Sequence, residues 1–142
     1  MSIEENKEIA HRFIHVWGTG GLTIVDELAA PDIAVSYPAF SIRGAEGYKQ
    51  VLTRFCASFA DNEIAVDDLI AEGDKVAVRW TYRGTHQGEF RGIPPTGKQV
   101  TLTGITIYRT AGGKVVEERG AEDLLGLLQQ LGALPSRGNA SQ

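Results

Sequence analysis

One cysteine, one methionine and five prolines stand among 142 residues, and neither sign of charge dominates. The lone Cys56 leaves no internal disulfide framework, and such usage fits a reducing cytoplasm, where the protein is expected to reside. Fourteen basic against eighteen acidic residues give a net charge of −4 without a basic stripe. That balance argues against nucleic acid or an anionic membrane as partner. Charges interrupt every apolar run within a few residues, so no segment reads as a membrane span. The opening Met1-Ser2-Ile3-Glu4-Glu5 is acidic and helical, unlike a signal peptide. Aromatic residues make up only 8%, so rings gathered around one place would be informative. What is present, 42% hydrophobic and 23% charged, is the composition of a globular domain with a core. One domain is expected over 1–135, with a flexible polar tail at 136–142.

Hydrophobic spacing divides the chain in two. Ser2 and Glu5 form a capping box, each side chain satisfying a free amide at a helix start. Ala10, Phe13, Ile14 and Trp17 then follow at i, i+3, i+4, i+7, one apolar stripe, before Gly18, Gly20 and Gly21 end the helix. A short second helix is predicted over about 23–29, closed by Pro31, and a strand through Ile33, Val35 and Tyr37. Tyr48, Val51, Leu52, Phe55 and Phe59 mark a third helix starting near Ala45. From Glu63 the period becomes two. Strands are expected over 64–71, through Val76 to Tyr82, over 99–110 and over 114–119, with turns at Gly73-Asp74 and Gly112-Gly113. A last helix carries Leu124, Leu127, Leu128 and Leu131. Helices followed by an antiparallel meander define an α+β fold, with the helices on one face of a curved sheet.

Chemistry-bearing motifs are few. Gly92-x-x-x-x-Gly97-Lys98 resembles a phosphate loop in spacing only: Gln99 replaces the metal-binding hydroxyl, Pro94 and Pro95 remove amide donors, and a strand follows where a helix is required. It reads as a proline-stiffened connection. His11 and His15 lie roughly 110–150° from the apolar stripe, at about 100° per residue, and so face solvent with no Cys or third histidine nearby. No metal or other cofactor is expected. Cys56, beside the apolar face of its helix, reads as a structural thiol. His86 ends a strand, where an imidazole could be a general acid or base or equally an exposed loop residue. Asp123 opens the last helix, where a carboxylate favours the helix dipole. It is also a candidate base if it points inward while Glu122 faces water. Arg119, four residues earlier, could pair with it.

Taken together these segments resemble the SnoaL-like polyketide cyclase family, of the nuclear-transport-factor-two-like fold. The resemblance rests on Arg79-Trp80-x-x-x-Gly84-Thr-His86-x-Gly-x-Phe90-x-Gly92-Ile-Pro-Pro-Thr-Gly97-Lys98, Gly104-Ile-Thr-Ile-Tyr-Arg109, Gly113-Lys-Val-Val-Glu117 and Asp123-Leu-Leu-Gly-Leu-Leu-Gln-Gln-Leu-Gly132. It implies a mixed or antiparallel curved sheet, three N-terminal helices forming a cone-shaped cavity, and a short C-terminal helix. It also implies cofactor-independent ring closure by intramolecular aldol condensation, with Asp123 as acid/base by motif position. His86 is a second catalytic candidate, on its residue type and strand-end position and not on the resemblance. The expected ligand is a small hydrophobic or aromatic carbonyl compound, held by Phe13, Trp17, Tyr37, Phe40 and Trp80, with Arg119 near the polar end; Phe13 and Trp17 could equally be core filling. Relatives commonly carry His-Trp where this chain has Glu118-Arg119, a change in the cavity wall or the partner surface. Arg79-Trp80-Thr81 lacks the Arg-x-Asp of the fold's epoxide hydrolases. The alternative reading is a non-catalytic ligand-binding or assembly domain of the same fold, because fold does not fix function.

The strand over 99–110 carries apolar groups on both faces: Val100, Leu102, Gly104, Thr106 and Tyr108 on one, Thr101, Thr103, Ile105, Ile107 and Arg109 on the other. Helices can cover only one of them. A homodimer burying the second face is therefore expected.

Overall fold

The computed structural model describes residues 2–19 and 21–134, so the expected tail at 136–142 lies outside the described residues. The order is α1 (Ile3–Ile14), α2 (Val16–Thr19), α3 (Leu22–Leu28), β1 (Ala29–Tyr37), β2 (Phe40–Arg43), α4 (Ala45–Ser58), β3 (Phe59–Glu72), β4 (Lys75–His86), β5 (Gln99–Ala111), β6 (Lys114–Glu122) and α5 (Leu124–Gln130). The Ser2–Glu5 capping box is formed as the sequence predicts. The first helix breaks at His15, so Trp17 belongs to α2, and Gly18 sits inside that short helix. No helix among the described residues is long and apolar enough to cross a membrane.

All six strands form one mixed sheet in the order β2-β1-β6-β5-β4-β3. β3 to β6 are an antiparallel meander, and β1 returns parallel to β6. β1 starts at Ala29, earlier than expected, and takes in Pro31. Its register against β6 shifts between Ala29 and Ala34, and such an interruption is where a strand tolerates proline. Further shifts fall in β3 and, between Arg109 and Thr110, in β5 against β6. Each bulge bends its strand and adds twist. The result is a sheet curved around α1 and α4, which pack on its inner side.

Strand alternation decides what that inner side carries. On β4, Val76, Val78, Trp80 and Tyr82 are buried, and on β5 Val100, Leu102, Thr106 and Tyr108 are. Phe13 anchors α1 onto this surface, its ring centroid 5.4 Å from Tyr48 and 5.8 Å from Tyr108. Two glycines make space for the large rings. Gly104 lies directly opposite Trp80, and a Cβ there would come within 2.3 Å of the indole. A Cβ on Gly120 would come within 2.5 Å of the Tyr37 ring.

Candidate active site

The helices do not fill the concave face completely. Between them and the sheet lies a cavity of about 730 Å³. Trp17 from α2, Tyr37 from β1, Phe40 from β2, Phe55 from α4, Trp80 and Tyr82 from β4, and Leu102 from β5 give it an aromatic and aliphatic wall. Tyr37 and Phe40 are stacked at 4.8 Å between centroids, and Trp17 meets Phe55 edge-on at 5.4 Å. Of the charged residues on the lining, Arg54, Glu89 and Arg91 are exposed, whereas Glu122 is half-buried.

Burial pushes the Glu122 carboxyl above the ordinary carboxylate range, and the Arg91 charge partly offsets that rise. Tyr108 lines the cavity beside Thr106. Its hydroxyl makes no hydrogen bond to another described residue, and burial, then the Glu118 charge, drives its pKa well up, so it stays a neutral donor.

Behind this wall sits Glu118, 1% exposed. Its carboxyl accepts from the Tyr37 hydroxyl at 2.7 Å and the Tyr48 hydroxyl at 2.8 Å. Tyr37 also meets Thr106 Oγ1 at 2.8 Å, and Thr106 accepts from the Trp80 indole N–H at 3.0 Å. At the other end the Trp17 indole N–H donates to the Tyr48 hydroxyl at 3.2 Å. Burial raises the Glu118 pKa to about 7, the two phenolic hydrogen bonds holding it from rising further. No basic side chain among the described residues forms an ion pair with it.

Of the residues expected at the site, Trp17, Tyr37, Phe40 and Trp80 are brought together around the cavity. Phe13 is fully buried core beneath it. The structure does not place Asp123, His86 or Arg119 on the cavity wall. Asp123 is exposed and caps α5, its carboxylate accepting from the Gly126 amide at 2.9 Å. The reason is that β6 runs three residues past 119, to Glu122. Along that strand Glu118, Gly120 and Glu122 turn inward while Arg119 and Ala121 turn out, and Asp123 follows beyond the strand as the exposed cap of α5. The carboxylate that β6 brings to the cavity is thus Glu122, the neighbour expected to face water. Arg119, with its side chain 71% exposed, pairs with Glu117 at 3.7 Å and not with Asp123.

His86 is buried outside the cavity, its ring 5.4 Å from Phe59. Its Nδ1 accepts from the Thr96 amide at 3.2 Å, and backbone bonds to Gly97 and Lys98 fasten the same connection, a structural tie. Cys56 is half-buried and unbridged, and burial raises its pKa, as befits an inert thiol.

A curved sheet with helices packed over its concave side, and a largely apolar cavity with carboxyl and hydroxyl groups on its wall between them, is the architecture of the nuclear-transport-factor-two-like fold. The SnoaL-like polyketide cyclase family model matches residues 7–131, and the chain belongs to that family. It is 26% identical over 132 residues to the aklanonic acid methyl ester cyclase DauD of Streptomyces sp. strain C5, covering 88% of this chain and 80% of that one. Among solved structures it is similar to AclR of Streptomyces galilaeus, described as a candidate hydroxylase. Identity is 31% and the TM-score 0.85, over 95% of this chain and 85% of that one. TsrD of Streptomyces laurentii is alike at 30% identity and a TM-score of 0.85, over 94% and 99% of the two chains.

Proposed function

We propose that this protein is a cyclase-type enzyme that closes a ring by intramolecular aldol condensation of an aromatic or polyketide-like carbonyl compound. One observation carries the reading: Glu122 is a half-buried carboxylate on the wall of an otherwise largely apolar cavity that also presents the free Tyr108 hydroxyl. Carbon-acid chemistry needs a positioned base and a donor for the oxygen that becomes anionic, in a place shielded from water. In this assignment the Glu122 carboxylate takes the proton from the carbon beside a ketone, and Tyr108 donates to the enolate oxygen. The enolate carbon then forms the new C–C bond to a second carbonyl of the same molecule. The alkoxide so formed takes the proton back from Glu122, which leaves the base as it began. Every step is a proton transfer or C–C bond formation, so the sequence of steps calls for no cofactor. The rings of Trp17, Tyr37, Phe40 and Trp80 supply contact area suited to a planar aromatic ligand.

The test is conversion of aklanonic acid methyl ester, the compound in the name of the relative DauD, followed by chromatography. Glu122→Gln is expected to lower kcat by about 10²–10⁴-fold while leaving ligand binding in place. Because the base must be ionised, the unsubstituted enzyme should gain rate as pH rises through the Glu122 pKa. Ligand binding without any turnover by the unsubstituted protein would instead make the cavity a carrier site.

A further inference from the structure

The hydrogen-bond chain that crosses the cavity floor has a fixed arithmetic of protons. Indole nitrogens only donate, so Trp17 must give its proton to Tyr48, and Trp80 must give its proton to Thr106. Each phenol and the threonine hydroxyl has one proton to give. With Glu118 ionised, Tyr48 and Tyr37 both spend theirs on the carboxylate. The 2.8 Å contact between Tyr37 and Thr106 can then only be Thr106 donating to Tyr37. Thr106 therefore offers the cavity a lone pair and no proton.

Protonating Glu118 puts a donor on the carboxyl, and one of its two phenolic bonds has to reverse. The Tyr48 arm cannot: Tyr48 is fully buried, and its other partner, Trp17 Nε1, accepts nothing. The Tyr37 arm can. Glu118 then donates to Tyr37, Tyr37 to Thr106, and the Thr106 proton is released toward the cavity that Thr106 lines. The same rotation moves a proton without net bond loss. A proton arriving at Thr106 from the cavity displaces the Thr106 proton to Tyr37 and the Tyr37 proton to Glu118, each O–H broken being replaced by one formed.

We propose that Glu118 is a positioning residue that sets, through Tyr37, whether the Thr106 hydroxyl, next to the standing donor Tyr108, presents the cavity with a second hydrogen-bond donor or with an acceptor only, so that its protonated form selects ligands with a carbonyl oxygen at Thr106. The proposal deepens the cyclase reading, since a carbonyl must be held for any condensation, but it concerns binding and stands or falls apart from turnover. The groups that face Glu118 are the phenols of Tyr37 on β1, Tyr48 on α4 and Tyr108 on β5, together with the Glu122 carboxyl on its own strand. The three phenols stay neutral because burial drives their pKa values well up, so the groups left to titrate here are the two carboxyls, Glu118 and Glu122. Both are carboxyls whose pKa burial raises, and separate substitutions tell them apart.

Binding of 2-acetylnaphthalene, an aromatic ketone, is measured at about pH 6 and about pH 8 beside 2-ethylnaphthalene, which has the same rings but no oxygen. The ketone is expected to bind about tenfold more weakly at the higher pH, one hydrogen bond's worth, while the hydrocarbon is unchanged. Glu118→Gln carries both a donor and an acceptor and imitates the protonated acid. It should bind the ketone at both pH values as tightly as the unsubstituted protein does at the lower one. Thr106→Val removes the hydroxyl and should bind weakly at both. Glu122→Gln should keep the pH dependence. The proposal is overturned if the ketone binds no more tightly than the hydrocarbon, if both ligands shift together, or if Glu118→Gln or Thr106→Val keeps the pH dependence of the unsubstituted protein.

Discussion

Glu117 and Glu118 are adjacent on β6 and share a side-chain chemistry, yet their surroundings have nothing in common. Glu117 lies on the outer face between Arg109 and Arg119, at 3.7 Å from each. Glu118 lies on the inner face among three phenols, with its pKa pushed up to about 7 by burial. One step along a strand moves a carboxylate from a solvated ion-pair cluster, worth about 0–1 kcal/mol, to a site where its charge is costly to hold. Glu122 and Asp123 repeat the contrast at the strand's end, one on the cavity wall and one in water. Chemistry here is therefore assigned by the parity of the strand and not by residue type.

That parity explains what could be read in advance. Phe13, Ile14 and Leu52 are buried where helical spacing puts them, and the two faces of β5 separate as alternation requires. The register of β6 is different. Continuing the Ala111–Lys114 pairing of the Gly112-Gly113 hairpin would set Tyr108 opposite Glu117. The bulge between Arg109 and Thr110 moves Glu118 there instead. A bulge is set by tertiary curvature and leaves no mark in the local pattern, so Glu118 was invisible from spacing alone. Glu122 was missed for a related reason: two acids before a leucine-rich run look like the start of a helix, but only Asp123 has that place. The substitution of Glu118-Arg119 for the usual His-Trp was legible, and the structure shows its meaning on the two faces. Glu118 enters the phenol cluster and Arg119 goes to the surface ion pairs.

The largest effect that separates the faces should appear in stability against pH. The unfolded Glu118 carboxyl titrates near 4.5 and the folded one near 7. Between those values the folded protein holds the extra proton, so its stability falls as pH rises and levels off above about 7. The full drop is about 3 kcal/mol, from 1.36 kcal/mol per pKa unit. Urea unfolding at several pH values should show that slope, and Glu118→Gln should reduce it to what the burial of Glu122 contributes. Glu117→Gln should leave the slope in place and shift stability by less than about 1 kcal/mol. Equal slopes in both variants would mean that the burial contrast does not govern the energetics.

The glycines sharpen the same contrast through packing. Gly104→Ala would drive a methyl group into the Trp80 indole and toward the Ala121 carbonyl oxygen at 2.8 Å. A loss of about 1–3 kcal/mol is expected, with ligand affinity reduced because Trp80 must move off the cavity wall. Thr103→Ala, on the exposed face of the same strand, should cost less than about 0.5 kcal/mol. Thermal unfolding of the two variants side by side decides it.

The outer face has its own prediction. Ile105 is 52% exposed and Ile107 44%, neighbours on one side of β5 and flanked by the Arg109, Glu117 and Arg119 charges. We propose that a second copy covers this face, through a two-fold contact. Light scattering at micromolar concentration should give a dimer. The double change Ile105→Lys, Ile107→Lys should give a folded monomer that still binds ligand, since neither side chain reaches the cavity. A monomer before any substitution would remove the dimer.

Asp123 offers the smallest expected effect and the sharpest control on catalysis. Its carboxylate accepts the Gly126 amide proton, the third in α5, while its own amide donates to Thr103 and its carbonyl accepts from Leu127. The side chain thus satisfies one of the donors a helix start leaves open, and Asp123→Ala should cost about 1 kcal/mol of stability. Asp123→Asn keeps a capping oxygen and should cost almost nothing. Neither change touches the cavity wall, so under the proposed function kcat should stay within about twofold of the unsubstituted protein's, against the loss of about 10²–10⁴ expected for Glu122→Gln one residue earlier. If Asp123→Asn abolished turnover while Glu122→Gln did not, the inward residue at the end of β6 would be Asp123. The strand would then have to end one residue out of the register in which Gly104 faces Glu122.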